Sequence, residues 1–485
     1  MNKSFIRYVV GQVIGFEGVF LVLTSIVGII YKESEFLPYL ICGILYVILG
    51  IFNRKVKPTS TVFYATEGFL IVALSWIMLS LLGAIPFFVT GEIPNFLDAL
   101  FEVVSGFTTT GSTIMSDPES LSHVSAFWRV FTHWIGGMGI LVFVLAILPM
   151  AGGYAIHILK AESPGPSVGK LVSKLSTTAK ILYAIYLGIT ALEVVSLLIC
   201  KLPIFDSVCI SFATAGTGGL GLLNDGFLSY SSSVQIVVAI FMMLFGINFN
   251  IYYFVLIGKG KEALKSEELK CYLGIIVVAT LLIMVNTVSY YSSAIETLKH
   301  SFFQVSSIIT TTGFASTNFD LWPTFSKVIL ICLMFCGAMA GSTGGGIKVS
   351  RIVILLKDIK QNILHYVSPR RVSPVRFEEK RVEKENLESI KSYLVVYAAV
   401  FICSLIIVSF DKFNFTECFT AVTATLNNIG PGLERIGPLG NFAEFSPLSK
   451  IVLIFDMITG RLEILPMLIL FLPLIKTIRN KVTSK

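Results

Sequence analysis

The chain has 485 residues, 54% of them apolar and 14% charged, with a net charge of +7 and a mean hydropathy of +0.81. Soluble domains carry about a quarter charged residues, so these values exclude a disordered chain, a disulfide-rich secreted scaffold and an ordinary cytosolic enzyme. The eight cysteines lie in or beside apolar runs without a CxxC pair and read as small core hydrophobes.

A bilayer-crossing helix needs about 20 apolar residues. Ten candidate runs stand in chain order, at 8–31, 37–52, 62–90, 124–150, 181–200, 234–257, 273–290, 328–341, 393–410 and 451–475. Glu17 interrupts the first, and no small-residue cleavage site follows it, so it reads as a retained span and not a signal peptide. With the N-terminus inside and the spans alternating, most of the 37 Lys and Arg fall on one side, including the cluster Lys259, Lys261, Lys265, Lys270 and the stretch from Lys348 to Lys391. Cytoplasmic loops carry such an excess. The expectation is a multi-pass protein of the cell inner or plasma membrane with both termini cytoplasmic. Topology and anionic lipid account for the basic excess, and no nucleic-acid partner is expected. The outer segments hold Glu92, Asp98, Glu102, Asp117, Glu119, Asp206, Asp225, Asp320, Glu417 and Glu434. An acidic vestibule concentrates cations; a merely solvated surface would look the same.

From the third span on, each pair of spans brackets a half-length apolar run and a Gly/Thr or Gly/Asn cluster. The runs are Phe96 to Thr108-Thr109-Thr110-Gly111, Phe205 to Gly216-Thr217-Gly218, Phe302 to Thr310-Thr311-Thr312-Gly313, and Phe415 to Asn427-Asn428-Ile429-Gly430. Their end glycines are 107, 95 and 117 residues apart, a divergent fourfold repeat. Asp98, Asp206 and Glu417 open three of the half-helices, as suits a helix N-terminus. Non-helical backbone at membrane depth must be buried in protein or line a water-filled path. Four such loops around one axis can present rings of carbonyl oxygens that replace a cation's hydration shell. The expected fold class is an all-α polytopic membrane protein with four pseudo-symmetric span, pore-helix, filter, span repeats, similar to a potassium channel, around one pore. The expected division is 1–60 for two extra N-terminal spans, 61–165 for repeat 1, 166–262 for repeat 2, 263–388 for repeat 3 with a gating loop and a long cytosolic loop, and 389–485 for repeat 4.

These motifs give the chain a resemblance to the Trk/Ktr/HKT superfamily of potassium transporters, and within it to the bacterial Trk-type membrane subunits. The resemblance covers essentially the whole chain. It is carried by Trp134-Ile-Gly-Gly-Met-Gly139, Ala146-Ile-Leu-Pro149, Ala161-Glu-Ser-Pro-Gly-Pro166, Ala340-Gly-Ser-Thr-Gly-Gly-Gly-Ile-Lys348, Asn427-Asn-Ile-Gly-Pro-Gly432 and Gly460-Arg-Leu-Glu463. The extra N-terminal pair of spans resembles the Trk branch. The resemblance implies potassium as the ion carried, with Gly111, Gly218, Gly313 and Gly430 as filter glycines. It implies carbonyl donors at Thr109 and Thr110, Gly216 and Thr217, Thr311 and Thr312, and Asn428 and Ile429. It also implies a homodimer in the membrane and a cytosolic nucleotide-binding regulator with RCK domains. The second loop, Ala215-Gly-Thr-Gly-Gly-Leu220, departs from the family pattern by an extra glycine, so a less stiff filter is expected there. Rubidium should pass with potassium, with poorer discrimination against sodium.

The span after the third filter runs into glycines at 337, 341, 344, 345 and 346. Glycine is a poor helix former, and broken backbone there must line a cavity. Gly341, Ser342, Thr343, Gly344, Gly345 and Gly346, with Lys348, are therefore read as a movable loop under the filter, the role the family gives it; a small-residue packing face is the alternative. A phosphate-binding loop fails, because Ile347 separates the glycines from Lys348 and no Ser/Thr follows the lysine directly. Arg461 lies deep in the last span, where a charge faces a cavity or the bundle interior. The resemblance implies that it repels cations and holds the loop's carbonyls; an ion pair with Asp456 is the structural alternative. Glu17 and Glu193 sit inside spans, either protonated or paired across helices. Asn248 and Asn250 are read as helix-to-helix hydrogen bonders. The polar stretch from Ser368 to Glu388 is read as a regulator docking surface or a plain linker. Competing functions are a cation symporter using protons or sodium, a sodium-permeable pore, and a membrane enzyme, for which no convergent His, Asp or Ser constellation stands out.

Overall fold

A computed structural model describes residues 2–60, 64–139, 175–368, 374–462 and 464–470. The described chain is helical apart from one small hairpin. Helices α1 (Lys3–Tyr31) and α2 (Phe36–Lys55) form an antiparallel pair. Glycines make their seam: a Cβ on Gly15 would stand 3.0 Å from the Cα of Gly50, and one on Gly18 2.6 Å from the carbonyl oxygen of Gly43. Small residues let helices approach closely where lipid offers no hydrophobic drive for association. The pair is fastened to repeat 1 at the end where α1 turns into α2. Glu33 accepts the backbone N–H groups of His123 (2.8 Å) and Val124 (3.0 Å), an anion at a helix N-terminus.

Repeat 1 comprises α3 (Ala65–Gly83), the half-helix α4 (Phe96–Phe107) and α5 (His123–Met138). Repeat 2 comprises α6 (Leu175–Ile199), half-helix α7 (Ile204–Gly216), α8 (Ser232–Phe245) and α9 (Phe249–Leu256). Repeat 3 holds α10 (Glu267–Thr287), half-helix α11 (Ala294–Ile309), α12 (Thr324–Cys336) and the inner helix α13 (Val349–Val367). Strands β1 (Arg376–Phe377) and β2 (Lys380–Arg381) pair after it. Repeat 4 is α14 (Lys384–Val408), half-helix α15 (Phe415–Leu426), α16 (Pro447–Arg461) and α17 (Ile464–Ile469).

The half-helices have 12, 13, 16 and 12 residues, about 18–24 Å at 1.5 Å per residue, too short to span a core of about 30 Å. Asn95, Ser293 and Asn414 cap three of them, Glu417 completing a capping box with Asn414, while α7 follows Pro203 without a side-chain cap. An acid sits in the first turn of all four, because α11 starts earlier than the apolar run suggested and brings in Glu296.

Among the described residues six helices are long and apolar enough to cross a membrane, seven if α8 and α9 count as one span. The ten runs overcount because hydropathy does not register breaks. The run at 234–257 bends by 91° between α8 and α9, where Asn248 caps the new helix through Asn250 N–H (2.9 Å). The run at 328–341 ends as a helix at Cys336. The run at 451–475 breaks after Arg461. The later parts of the runs at 124–150 and 451–475 lie outside the described residues. So the sequence expectation of one broken inner helix, in repeat 3, extends to repeat 2.

One core joins the two ends of the chain: Trp76, Phe107 and Trp128 of repeat 1 pack in the same cluster as Val422, Leu453 and Met457 of repeat 4. A second joins Val130, Ile210 and Phe303 of repeats 1, 2 and 3. The repeats therefore close into a ring, and Lys450 of α16 pairs with Asp98 of α4 (2.6 Å) across the seam between last and first.

Candidate functional site

Each half-helix runs into its loop by the same two hydrogen bonds. Thr109 N–H meets Gly106 O and Thr110 N–H meets Ser105 O; the counterparts are Thr217 to Thr214 and Gly218 to Ala213, Thr311 to Ile308 and Thr312 to Ser307, and Asn428 to Thr425 and Ile429 to Ala424, all 2.8–3.2 Å. Thr109, Thr217, Thr311 and Asn428 take left-handed backbone (φ 55°, 54°, 59° and 55°), and two residues later so do Gly111, Gly219, Gly313 and Gly430 (φ 83°, 77°, 83° and 99°).

This pattern corrects the second loop by one residue. Gly218 occupies the position of Thr110, and Gly219 that of Gly111. Counting glycines in the sequence aligned the first Thr-Gly pair, whereas the backbone places its left-handed turn one residue on. The apparent extra glycine is the loop's equivalent of the other three. Gly216 likewise falls at the place of Thr108, so the expected carbonyl pair Gly216 and Thr217 becomes Thr217 and Gly218.

The loops meet in a closed ring. A Cβ on Gly111 would stand 2.2 Å from the carbonyl oxygen of Gly218, one on Gly219 1.8 Å from that of Thr312, one on Gly313 1.9 Å from that of Ile429, and one on Gly430 2.9 Å from that of Thr110. Each repeat thus seats one carbonyl oxygen against the glycine of the neighbouring repeat, in the order 1, 2, 3, 4 and back to 1. Only a residue without a side chain fits at these φ values and this approach. The four glycines also line one cavity together with Ser112, Arg129 and Phe314. Below the ring, Thr108 and Thr110 share a hydroxyl contact of 2.7 Å, and Thr310 and Thr312 one of 2.8 Å. Asn428 donates to Thr110 Oγ1 and to Met457 O, both at 2.9 Å.

The loop 337–348 lies directly beneath. Gly345 N–H donates to Thr311 Oγ1 (2.7 Å), and Gly344 packs against Thr310 O. Ser342 Oγ donates to Met339 O within the loop, and Thr343 Oγ1 to Phe245 O. Gly341 sits over the break in repeat 2, where its carbonyl accepts Phe249 N–H (3.0 Å) and a Cβ would stand 3.0 Å from Asn248 Oδ1. Gly346 takes left-handed backbone. Lys348 is fully buried and turns back to donate to the carbonyls of Gly344 and Gly345.

Arg461, 5% exposed, ties three repeats together. It donates to Thr343 O (2.7 Å) and Thr109 Oγ1 (3.1 Å) through Nη1, and to Gly136 O (2.5 Å) and Gly137 O (2.7 Å) through Nη2. Its place in the loop is therefore that of a carbonyl holder, and Asp456 bonds Ser404 Oγ instead (2.7 Å). Glu463 lies outside the described residues, as do the motifs at 146–149 and 161–166.

Arg129 and His133, which sequence reasoning passed over, complete the surroundings together with Glu102. Arg129 is buried in α5 and bonds Glu102 Oε1 (2.6 Å), Gly221 O (2.7 Å) and Thr113 Oγ1 (3.1 Å). Glu102 also accepts Ile114 N–H (2.9 Å), so this ion pair clasps the chain just outside the glycines of repeats 1 and 2. His133 Nδ1 contacts Gly106 O (2.7 Å), and its Nε2 accepts Leu220 N–H (3.2 Å). A carbonyl on one side and an N–H on the other call for a neutral ring with its proton on Nδ1. Both residues had a signal: a charge and an imidazole inside an apolar run. The outer acids are largely engaged with protein: Asp98 with Lys450, Glu102 with Arg129, Glu417 with its own helix end, and Glu92 with Ser122 and Ser125. Glu17 and Glu193 are fully buried, and their carboxyl oxygens have no hydrogen-bond partner among the described residues.

Against known proteins, residues 40–477 match the TrkH family, described as cation transport protein. The chain belongs to the TrkH cation transport family. Curated relatives include the Trk system potassium uptake protein TrkH of Salmonella typhimurium, 35% identical over 98% of this chain and 99% of that one. Another is the Trk system potassium uptake protein TrkG of Escherichia coli, 30% identical over 97% and 99%. The crystal structure of the potassium transporter TrkH from Vibrio parahaemolyticus superposes with a TM-score of 0.87 at 29% identity, covering 98% of this chain and 99% of that one. This TrkH-family chain is an all-α, multi-pass membrane protein.

Proposed function

We propose that the chain is the pore-forming membrane subunit of a potassium uptake system, passing K+ and Rb+ through the four-loop ring. The observation that carries this reading is the closed circuit of four carbonyl oxygens against four glycines, with a cation-repelling arginine and a glycine-rich loop directly beneath. Such rings suit a cation stripped of its water. In this reading the filter is Thr109, Thr110 and Gly111, then Thr217, Gly218 and Gly219, then Thr311, Thr312 and Gly313, then Asn428, Ile429 and Gly430. Residues 341–346, Lys348 and Arg461 form the gate. The named relatives are potassium uptake proteins, which supports potassium as substrate. The same reading places the chain in the cell membrane with both termini cytoplasmic, as a homodimer working with a cytosolic RCK-type nucleotide-binding regulator. The division at 60, 165 and 262 is retained for the repeats, and the boundary expected at 388 moves to 383, ahead of α14.

The test is cation flux. The purified chain in liposomes takes up rubidium, potassium competes and sodium competes weakly, with or without a proton gradient. Uptake that requires the gradient makes the protein a coupled symporter; sodium competing as well as potassium removes the selectivity assigned to the ring.

A further inference from the structure

The glycine-rich loop is also held from the cytosolic side, by a residue no motif singled out. Glu268 lies in the first turn of α10 and is 4% exposed. Its Oε1 accepts the backbone N–H of Ala340 (2.8 Å) and of Ser350 (3.1 Å). One carboxylate oxygen therefore gathers both stems of the loop, the irregular segment that enters it and the helix that leaves it. Charge-assisted bonds of this kind are roughly twice as strong as neutral ones.

The backbone carrying Glu268 is itself anchored outside the bilayer. Glu378, in the turn between β1 and β2, accepts Glu268 N–H (3.1 Å) and Ser266 Oγ (2.8 Å). Lys357 of α13 pairs with Glu267 and donates to Arg376 O of the hairpin. The hairpin rests on an apolar seat of Ile354, Val375 and Ile390. A continuous set of bonds thus runs from a cytosolic hairpin through the start of α10 to the loop under the ring.

We propose that Glu268 is a positioning residue for the gate, and that residues 374–382 are the cytosolic element whose seating on α10 sets how firmly the loop is held. This rests on the reading of 341–346 as a gate. Loosening the hairpin shifts the start of α10, withdraws the acceptor and lets the loop move; the ring above is untouched, so ion choice is unchanged.

The experiment measures rubidium uptake and potassium-over-sodium competition by full-length variants in liposomes. Glu268→Ala raises uptake several-fold with unaltered competition. Glu268→Gln, which keeps an acceptor oxygen but loses its charge, falls between it and the unmodified protein. Glu378→Ala, outside the membrane and away from the pore, raises uptake in the same direction and covers the case in which Glu268→Ala does not fold. Folded Glu268→Ala and Glu378→Ala proteins with unchanged uptake overturn the proposal, provided Arg461→Ala raises it in the same assay. If Arg461→Ala also leaves uptake unchanged, the gate reading itself falls. Altered ion competition in Glu268→Ala overturns the proposal by making it a filter residue.

Discussion

Gly219 and Gly430 stand at equivalent turns of their loops, yet the space around them differs. A methyl at Gly219 would meet a backbone carbonyl oxygen at 1.8 Å, one at Gly430 at 2.9 Å. Backbone cannot yield as a flexible side chain does, and left-handed φ adds about 1–2 kcal/mol for any other residue. Gly219→Ala therefore abolishes potassium-selective uptake, while Gly430→Ala keeps a measurable part of it; equal loss in both would contradict this ranking. Position 219 was not legible as the ring glycine, because Gly216, Gly218 and Gly219 crowd one loop and only backbone dihedrals distinguish them. In repeats 1 and 3 the Thr-Thr-Thr-Gly string left no such freedom, and Gly111 and Gly313 take left-handed backbone. Asp320, in the loop between α11 and α12 and outside the spanning helices, is half-buried, and burial raises its carboxyl above the ordinary range, opposed by a backbone hydrogen bond at Glu434 and by Lys327, with the Glu434 charge adding. The native state holds that proton more tightly than the unfolded chain, so stability falls as pH rises from the unfolded value through the raised native one. Asp320→Asn removes that fall. The two proteins melt together below about pH 3.5, and the variant melts higher at about pH 7; a constant gap across the range would refute the assignment.

Helices in this protein are written in two kinds of glycine. Gly15 and Gly18 of α1 touch Gly50 and the Gly43 carbonyl on α2, whereas nothing lies within 4 Å of where a Cβ on Gly188 or Gly274 would be. Alanine exceeds glycine in helix propensity by about 1 kcal/mol. Gly188→Ala and Gly274→Ala are thus expected to raise the melting temperature of the detergent-solubilised protein, and Gly18→Ala to lower it. If all three shift it in one direction, the seam does not hold α1 to α2. Hydropathy made most spans legible but could not show where they stop. The 91° bend between α8 and α9 rests on three residues, Gly246, Ile247 and Asn248, too few to lower the apolar average of the run. The half-helices were visible because four copies repeated. The early start of α11 was hidden because Ser293 to Lys299 is polar and looked like loop.

At the scale of the whole molecule, Arg461 is the member that sees the most repeats. It belongs to repeat 4 and bonds Thr109, Gly136 and Gly137 of repeat 1 and Thr343 of repeat 3. Removing it frees the loop and removes a positive charge from beneath the ring. Arg461→Ala therefore raises rubidium uptake and lowers the melting temperature. Arg461→Lys keeps the charge but cannot reach four acceptors with a planar fork, so its uptake lies between. Uptake in Arg461→Lys equal to that in Arg461→Ala would assign the effect to bonding alone. The sequence pointed to this arginine through its depth in a span, but its partners lie more than 100 positions away and only the folded ring brings them near.

The seam between first and last repeats has a consequence for how the protein is made. Repeat 1 finds its other neighbour only when α15 and α16 exist, since Lys450, Gly430 and the shared core of Leu453 and Met457 all come from there. A chain with repeats 1 to 3 alone can form two of the four carbonyl-to-glycine contacts, and it lacks the arginine that holds the loop. The helices of repeat 4 thus close the ring and tether the loop beneath it in one step, so enclosure and tether arise together.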